Sequence, residues 1–146
     1  GSSGAPGPLH RSNAVPDRFV LRLATAVASN TGGPYTAAWD RAVVPSTGTL
    51  RGAWAVATSI TSNAITNKVD IYRQVDAPAA GSNTAATVLV SPITLVNNRD
   101  AVAGTIRASN DRVTAGDVLE LRTYSDNVGS QPNFLGLTAT VEVERD

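Results

Sequence analysis

The chain has 146 residues, of which 42% are hydrophobic, and Lys plus Arg balance Asp plus Glu at 12 each. This length supports one ordinary hydrophobic core, so a single main domain is expected. The formal neutrality argues against a nucleic acid partner, because such a partner requires an excess of positive surface charge. No apolar run approaches the roughly 20 residues of a membrane helix, so no membrane partner is expected either. The absence of cysteine excludes disulfides, thiol nucleophiles and thiolate metal sites.

Residues 1–17 are rich in proline and glycine and lack apolar periodicity. Such a segment cannot bury enough surface to order itself, so we predict an extended N-terminal arm before a domain at residues 18–146. Glycine at every third position, in GSS, GAP and GPL, allows two interpretations: a remnant of an expression tag or short collagen-like triplets that would make a trimer. The arm residues available for docking are Pro6, Pro8, Leu9, His10 and Arg11.

From Arg18 onward, short runs of Val, Ile, Leu and Thr alternate with clusters of Gly, Pro, Asn and Asp. Apolar residues recur at every second position within these runs, which is typical of β-strands with one buried face. Eight strands are predicted, at residues 18–28, 37–44, 49–59, 67–75, 87–95, 101–108, 117–124 and 137–144.

The third and fifth of these runs have particular features. In residues 49–59 the alternation places Leu50, Trp54 and Val56 on one face and three alanines on the other, which predicts a strand covered on both faces. Residues 87–95 contain Pro92, which cannot donate to a strand ladder and therefore predicts a sheet edge or a bulge.

No window shows the spacing of an amphipathic helix, so the strands must pair with one another. Short strands without crossover helices pair antiparallel, and two packed sheets are needed to bury their apolar faces. The predicted fold is an all-β, antiparallel two-sheet sandwich, with a jelly roll as the leading topology and an immunoglobulin-like Greek key as the alternative.

Residues that could support catalysis are sparse. The single histidine, His10, lies in the arm, where no neighbouring element fixes its geometry for acid–base work. Glu142 and Glu144 share a face of the last strand and resemble a pair of glycosidase carboxylates, but the same alternation is typical of a solvated strand face. We therefore expect no enzyme activity, no cofactor and no metal. Acidic residues in the predicted loops are interpreted as turn formers and not as cation ligands: Asp100, Asp111, Asp117 and Asp126.

Few aromatic residues are candidates for contact with a partner. Tyr35 follows a Gly-Gly-Pro loop, and Tyr72 lies on the polar side of the predicted fourth strand. Trp39 and Trp54 occupy apolar positions and are predicted to lie in the core. A surface contact, for example with a glycan, would therefore use Tyr35 or Tyr72.

Three stretches resemble the β-sandwich domains of bacteriophage virion proteins, namely head decoration proteins, head fibres and tail-fibre-type domains. They are TVLVSPITL at residues 87–95, VTAGDVLELRTYSDN at 113–127 and GLTATVEVE at 136–144. The most specific piece is the turn Thr114-Ala115-Gly116-Asp117, which leads into the seventh predicted strand.

The resemblance implies a multicopy protein, commonly a homotrimer, that assembles in the host cytoplasm and sits on the virion surface. Its partners would be further copies of itself and the major capsid or tail proteins, and the family has no catalytic residue to carry over. A carbohydrate or host-receptor-binding module, contacting a surface glycan, is the alternative function.

Overall fold

The computed structural model describes residues 17–29, 38–60, 67–74, 85–125 and 132–146. Within these ranges the chain forms ten β-strands and one short 3-10 helix, Ala108–Asn110. No helix in this part of the chain is long and apolar enough to span a membrane. In chain order the strands are β1 Arg18–Ser29, β2 Asp40–Val43, β3 Gly48–Ile60, β4 Asn67–Gln74, β5 Ala86–Thr87, β6 Ile93–Leu95, β7 Val102–Gly104, β8 Arg112–Val113, β9 Val118–Ser125 and β10 Pro132–Arg145.

The strands form two five-stranded antiparallel sheets. Sheet A has the order β1-β10-β3-β7, with β8 also pairing with β3, and sheet B has the order β2-β9-β4-β5, with β6 also pairing with β4. The pairs are nested along the chain: β1 with β10, β2 with β9, β3 with β7 and β8, and β4 with β5 and β6. A long antiparallel ribbon wrapped into two sheets in this way is a jelly roll. The predicted sandwich and its leading topology are confirmed.

The strand count is ten and not eight because one predicted run is interrupted and one short strand, β8, was not predicted. Residues 87–95 yield only the short strands β5 and β6, and the break between them contains Pro92. Both pieces pair with β4 at the edge of sheet B, where a residue without an N–H group is tolerated. The two-residue strand β8 was not predicted, because two residues are too few to show any alternation.

The core lies between the two sheets and is almost entirely aliphatic. Sheet A contributes small inward residues from β3, whereas sheet B contributes larger ones from β4 and β9. A fully buried leucine stabilises the fold by roughly 1.5–3 kcal/mol. Trp39 packs against this core, as predicted, and its Nε1 donates a hydrogen bond of 2.7 Å to Thr123 Oγ1. Core residues of the central strands include Ala53, Ala55, Ala57, Val69, Ile71, Leu119, Leu121, Leu137, Ala139 and Val141.

An extra residue in β3 changes which of its side chains face the core. Glu142 pairs with Gly52 but its neighbour Val143 pairs with Leu50, so Arg51 is bulged out of the ladder. Leu50 therefore faces the core on one side of the bulge and the alanines do so on the other. The prediction that Trp54 lies in the core was wrong: its side chain points away from the core and is 39% exposed.

A second irregularity is centred on Gly136 in β10. Gly136 has a φ of +62°, a left-handed conformation that favours glycine. After Gly136 the odd-numbered residues of β10 face the core, whereas before it the even-numbered Phe134 does so, together with its partner Ala28. Their strand neighbours Leu135 and Val27, which pair with each other, consequently point away from the core and are exposed.

We expect Gly136→Ala to destabilise the protein by about 2–3 kcal/mol, because it combines backbone strain with a steric clash. A Cβ atom at this position would lie 2.5 Å from Thr58 Oγ1. Adding Thr58→Ala should recover the part of the loss due to the clash, while Thr58→Ala alone should change stability by less than about 0.5 kcal/mol. Urea denaturation of the three variants measures this coupling, and strictly additive losses would contradict the clash.

Candidate functional site

Most of the residues predicted to contact a partner fall outside the described part of the chain. Tyr72 is the exception: it lies on β4, on the outer face of sheet B. The predicted residues outside the described ranges are Tyr35 and the arm residues Pro6, Pro8, Leu9, His10 and Arg11.

The outer face of sheet B carries a cluster of charged side chains next to a tyrosine, and we call these five residues the charged face: Arg41, Asp70, Tyr72, Glu120 and Arg122. The strand register brings them together, because Arg41 and Tyr72 both pair with Glu120 while Asp70 pairs with Arg122. Asp70, Glu120 and Arg122 are nevertheless buried. The sequence pattern predicted a solvated polar side for this sheet, so their burial is a correction.

Arg122 is the centre of the charged face. Its Nε and Nη2 donate hydrogen bonds of 3.1 and 2.5 Å to Glu120 Oε1, and Arg41 Nε donates one of 3.0 Å to Glu120 Oε2. The guanidinium carbon of Arg122 lies 4.1 Å from the centroid of the Tyr72 ring, which is the geometry of a cation–π contact. One side of the Tyr72 ring is therefore covered by the protein itself.

The fold shifts the pKa values of the two carboxylates of the charged face in opposite directions. Burial raises the pKa of Asp70. This effect outweighs the hydrogen bonds from the Thr87 hydroxyl (2.5 Å) and the Ile71 N–H group (2.8 Å) and the charge of Arg122, all of which lower the pKa. Burial also acts to raise the pKa of Glu120, but the hydrogen bonds and charges of Arg122 and Arg41 outweigh it and leave that pKa lowered. Perturbed carboxyls occur in active sites and also in structural ion-pair networks. The partners of Glu120 are all arginines of the fold, which favours the structural interpretation.

The outer face of sheet A has a different character, and we call its exposed part the Trp54 face: Val20, Arg22, Val27, Trp54 and Leu135. The exposed fractions of its hydrophobic residues are 61% for Val20, 43% for Val27, 39% for Trp54 and 45% for Leu135. These four are the majority of the seven large hydrophobic residues exposed in the described ranges. The register spreads them along one sheet face, with Val20 near one end of β1, Val27 and Leu135 near the other and Trp54 between them. Several exposed apolar side chains on one face are the pattern expected of a contact surface.

Small neighbours make the surface around Trp54 flat. The register across the sheet places Trp54 between Thr140 on β10 and Ala103 on β7, and Thr140 pairs in turn with Arg22 on β1. The indole ring folds back over Gly52, since a Cβ atom at Gly52 would lie 2.6 Å from Trp54 Cη2. The ring therefore lies along the sheet and does not project from it.

Ion pairs occupy the acidic groups at one end of this face. Arg18 Nη1 lies 2.8 Å from Glu142 Oε1, and Arg51 Nε lies 2.7 Å from Glu144 Oε1. Both glutamates are partly exposed, which favours their interpretation as a solvated strand face and not as a catalytic pair. Arg22 is exposed and has no acidic partner among the described residues.

Asp117 is the loop aspartate with the most clearly defined structural role. Asp117 forms the predicted turn: its N–H group donates to the Thr114 carbonyl at 2.9 Å, and its Oδ2 accepts the Thr114 N–H at 2.8 Å. Gly116 supplies the left-handed residue of this turn, with a φ of +96°. Asp126 lies outside the described ranges. Within those ranges no group of three His, Asp or Glu residues could hold a metal ion.

Comparison with known proteins gives a match at the level of structure. No protein-family model and no curated protein matches the chain. The fold is similar to a chain in a solved structure of the capsid of Ralstonia phage GP4, with a TM-score of 0.58. The match covers 98% of this chain and 91% of that chain, at 12% sequence identity. The two chains therefore share one architecture over nearly their whole length.

We expect Asp70→Asn to gain stability relative to the wild type as the pH rises from about 4 to about 7. The folded state raises the pKa of Asp70, so the wild type loses stability as this carboxyl ionises, whereas asparagine does not ionise. Asparagine Oδ1 can still accept the bonds from Thr87 and Ile71. The difference between the unfolding free energies of the two proteins, measured across this pH range, should increase; a constant difference would contradict the prediction.

Glu120→Gln should show the opposite dependence and cost about 3 kcal/mol near neutral pH, because it removes the carboxylate charge that Arg122 and Arg41 share. The lowered pKa of Glu120 means that its stabilisation is present at neutral pH and is lost as the pH falls through the folded-state value. The deficit of the variant should therefore shrink in acid. Chemical denaturation at several pH values tests this, and a deficit that grows in acid would rule out the network described here.

Proposed function

We propose that the chain is a non-enzymatic structural protein of a phage virion, a capsid decoration or fibre-type module. It self-associates as a homotrimer and docks on the virion surface through its N-terminal arm, next to the major capsid or tail proteins. The observation that carries this proposal is the fold similarity to a chain in the phage GP4 capsid, which extends over 98% of this chain. The resemblance of residues 87–144 to phage virion sandwiches supports it independently.

The base of the proposed arm is held firmly to the sandwich. Arg145 donates two hydrogen bonds to Asp17, one from its N–H group to the carbonyl at 2.8 Å and one from Nη1 to Oδ2 at 2.6 Å. The Arg145 guanidinium also lies 4.9 Å from the centroid of the Phe19 ring. A segment that leaves the domain from a fixed point can reach a neighbouring subunit without loosening the sandwich.

The alternative function, a carbohydrate or host-receptor-binding module, has one supporting observation. Trp54 presents an exposed aromatic ring on a flat sheet face, and aromatic rings of this kind bind the apolar faces of sugars. Tyr72 supports this alternative less well, because Arg122 covers one side of its ring. The residues next to Trp54, Ala103 and Thr140, offer a single hydroxyl group for sugar recognition.

The experiment is sedimentation of the full chain, alone and with particles of the encoding phage that lack this protein. We expect a trimer in solution that co-sediments with the particles, and we expect deletion of residues 1–16 to weaken co-sedimentation while the far-ultraviolet circular dichroism remains that of a β-sandwich. A strict monomer that does not bind the particles would contradict the proposal. Binding to a glycan array, without particle binding, would favour the alternative.

A further inference from the structure

We propose that the Trp54 face is a second docking surface, and that its partner is a flat apolar patch on another virion protein that presents a carboxylate to Arg22. The inference rests on the proposed function and deepens it, because it assigns a contact to the folded domain in addition to the arm.

Exposed apolar side chains are unevenly distributed between the outer faces of the two sheets. Val20, Val27, Trp54 and Leu135 all point outward from sheet A, whereas the outer face of sheet B carries buried charges. Single exposed apolar residues are normal, but a cluster on one face marks a contact surface. Docking would remove these four side chains from water without any rearrangement of the strands.

Trp54 is suited to be the centre of a contact. Tryptophan is enriched among residues that dominate binding energy, particularly where near-neutral neighbours exclude water around it. Here the ring lies flat over Gly52, and its neighbours across the sheet are Ala103 and Thr140. Small neighbours let a partner approach the ring closely.

The charge balance on the outer face of sheet A selects the chemistry of the partner. On the outer side of sheet A, three arginines are already paired with carboxylates: Arg18 with Glu142, Arg51 with Glu144 and Arg112 with Asp146. Arg22 is left as a surplus positive charge two strands away from Trp54, or roughly 10 Å by the usual strand spacing. A second copy placed on the same face would bring another surplus arginine and, within the described part of that face, no free carboxylate. A partner that carries an Asp or Glu opposite Arg22 is complementary.

The test measures the affinity of full-length variants for phage particles that lack this protein. Trp54→Ala should weaken binding by about 30-fold or more, as expected for a central tryptophan. Arg22→Glu should weaken binding by more than about tenfold and Arg22→Lys by less than about threefold, because lysine keeps the charge. Covalent labelling of Trp54 should fall when the wild type is bound to the particles.

Val20→Thr tests the contribution of a second apolar residue of the Trp54 face, and Val43→Thr is its matched control on the other sheet. The two valines lie on the edge strands β1 and β2 and are 61% and 64% exposed, so the substitutions should affect folding equally. Only Val20→Thr should weaken particle binding. Circular dichroism and the sedimentation coefficient of each variant exclude misfolding as the cause of a loss.

The other outcomes are distinguishable. Wild-type protein that fails to bind particles would contradict the proposed function together with this inference. Wild-type binding that Trp54→Ala and Arg22→Glu leave unchanged would overturn the inference alone. Variants that turn a trimer into a monomer would identify a second copy as the occupant of this face. Loss of glycan-array binding in Trp54→Ala would identify a sugar. Either result overturns the inference.

Discussion

The pairing of β3 with β10 in the middle of sheet A is the constraint on which the rest of the structure depends. Strand β10 pairs with β1 on its other side, so its alternation is imposed on three strands together. The inward positions of β3 are occupied by Ala53, Ala55 and Ala57, and the core volume on this side is small. The larger residue Trp54 therefore has no place in the core and lies outside. The exposed surface is a consequence of how the interior is filled.

The two outer faces of the sandwich differ in how their polar groups are satisfied. On sheet B, Glu120 is held by Arg41 and Arg122, and Arg122 in turn covers Tyr72. Buried charges of this kind require partners within the fold, because an unpaired one would cost several kcal/mol. On sheet A the ion pairs lie at one end, and the remaining area is apolar or small except for Arg22. One face is thus closed by internal interactions, and the other is open to an external contact.

The sequence predicted the architecture well because period-two alternation reports directly on which strands have one buried face. It predicted the faces less well where the period is broken. The bulge at Arg51 shifts the alternation of β3 by one residue, so a uniform period placed Trp54 on the same face as Leu50 and in the core. The left-handed Gly136 marks a similar shift in β10. The buried charges of sheet B were also missed, because Asp70 and Glu120 show the same alternation as solvated residues. Only the tertiary structure reveals their burial.

Gly52 connects the bulge with the proposed contact. Its position carries no Cβ atom, and a Cβ there would lie 2.6 Å from the Trp54 ring, so glycine allows the indole to lie flat on the sheet next to Arg51. A ring that is already packed on its own backbone loses little conformational freedom on binding, which favours affinity without additional contacts. The glycine next to the bulge that buries Leu50 thus allows the exposed tryptophan an orientation suited to a flat partner.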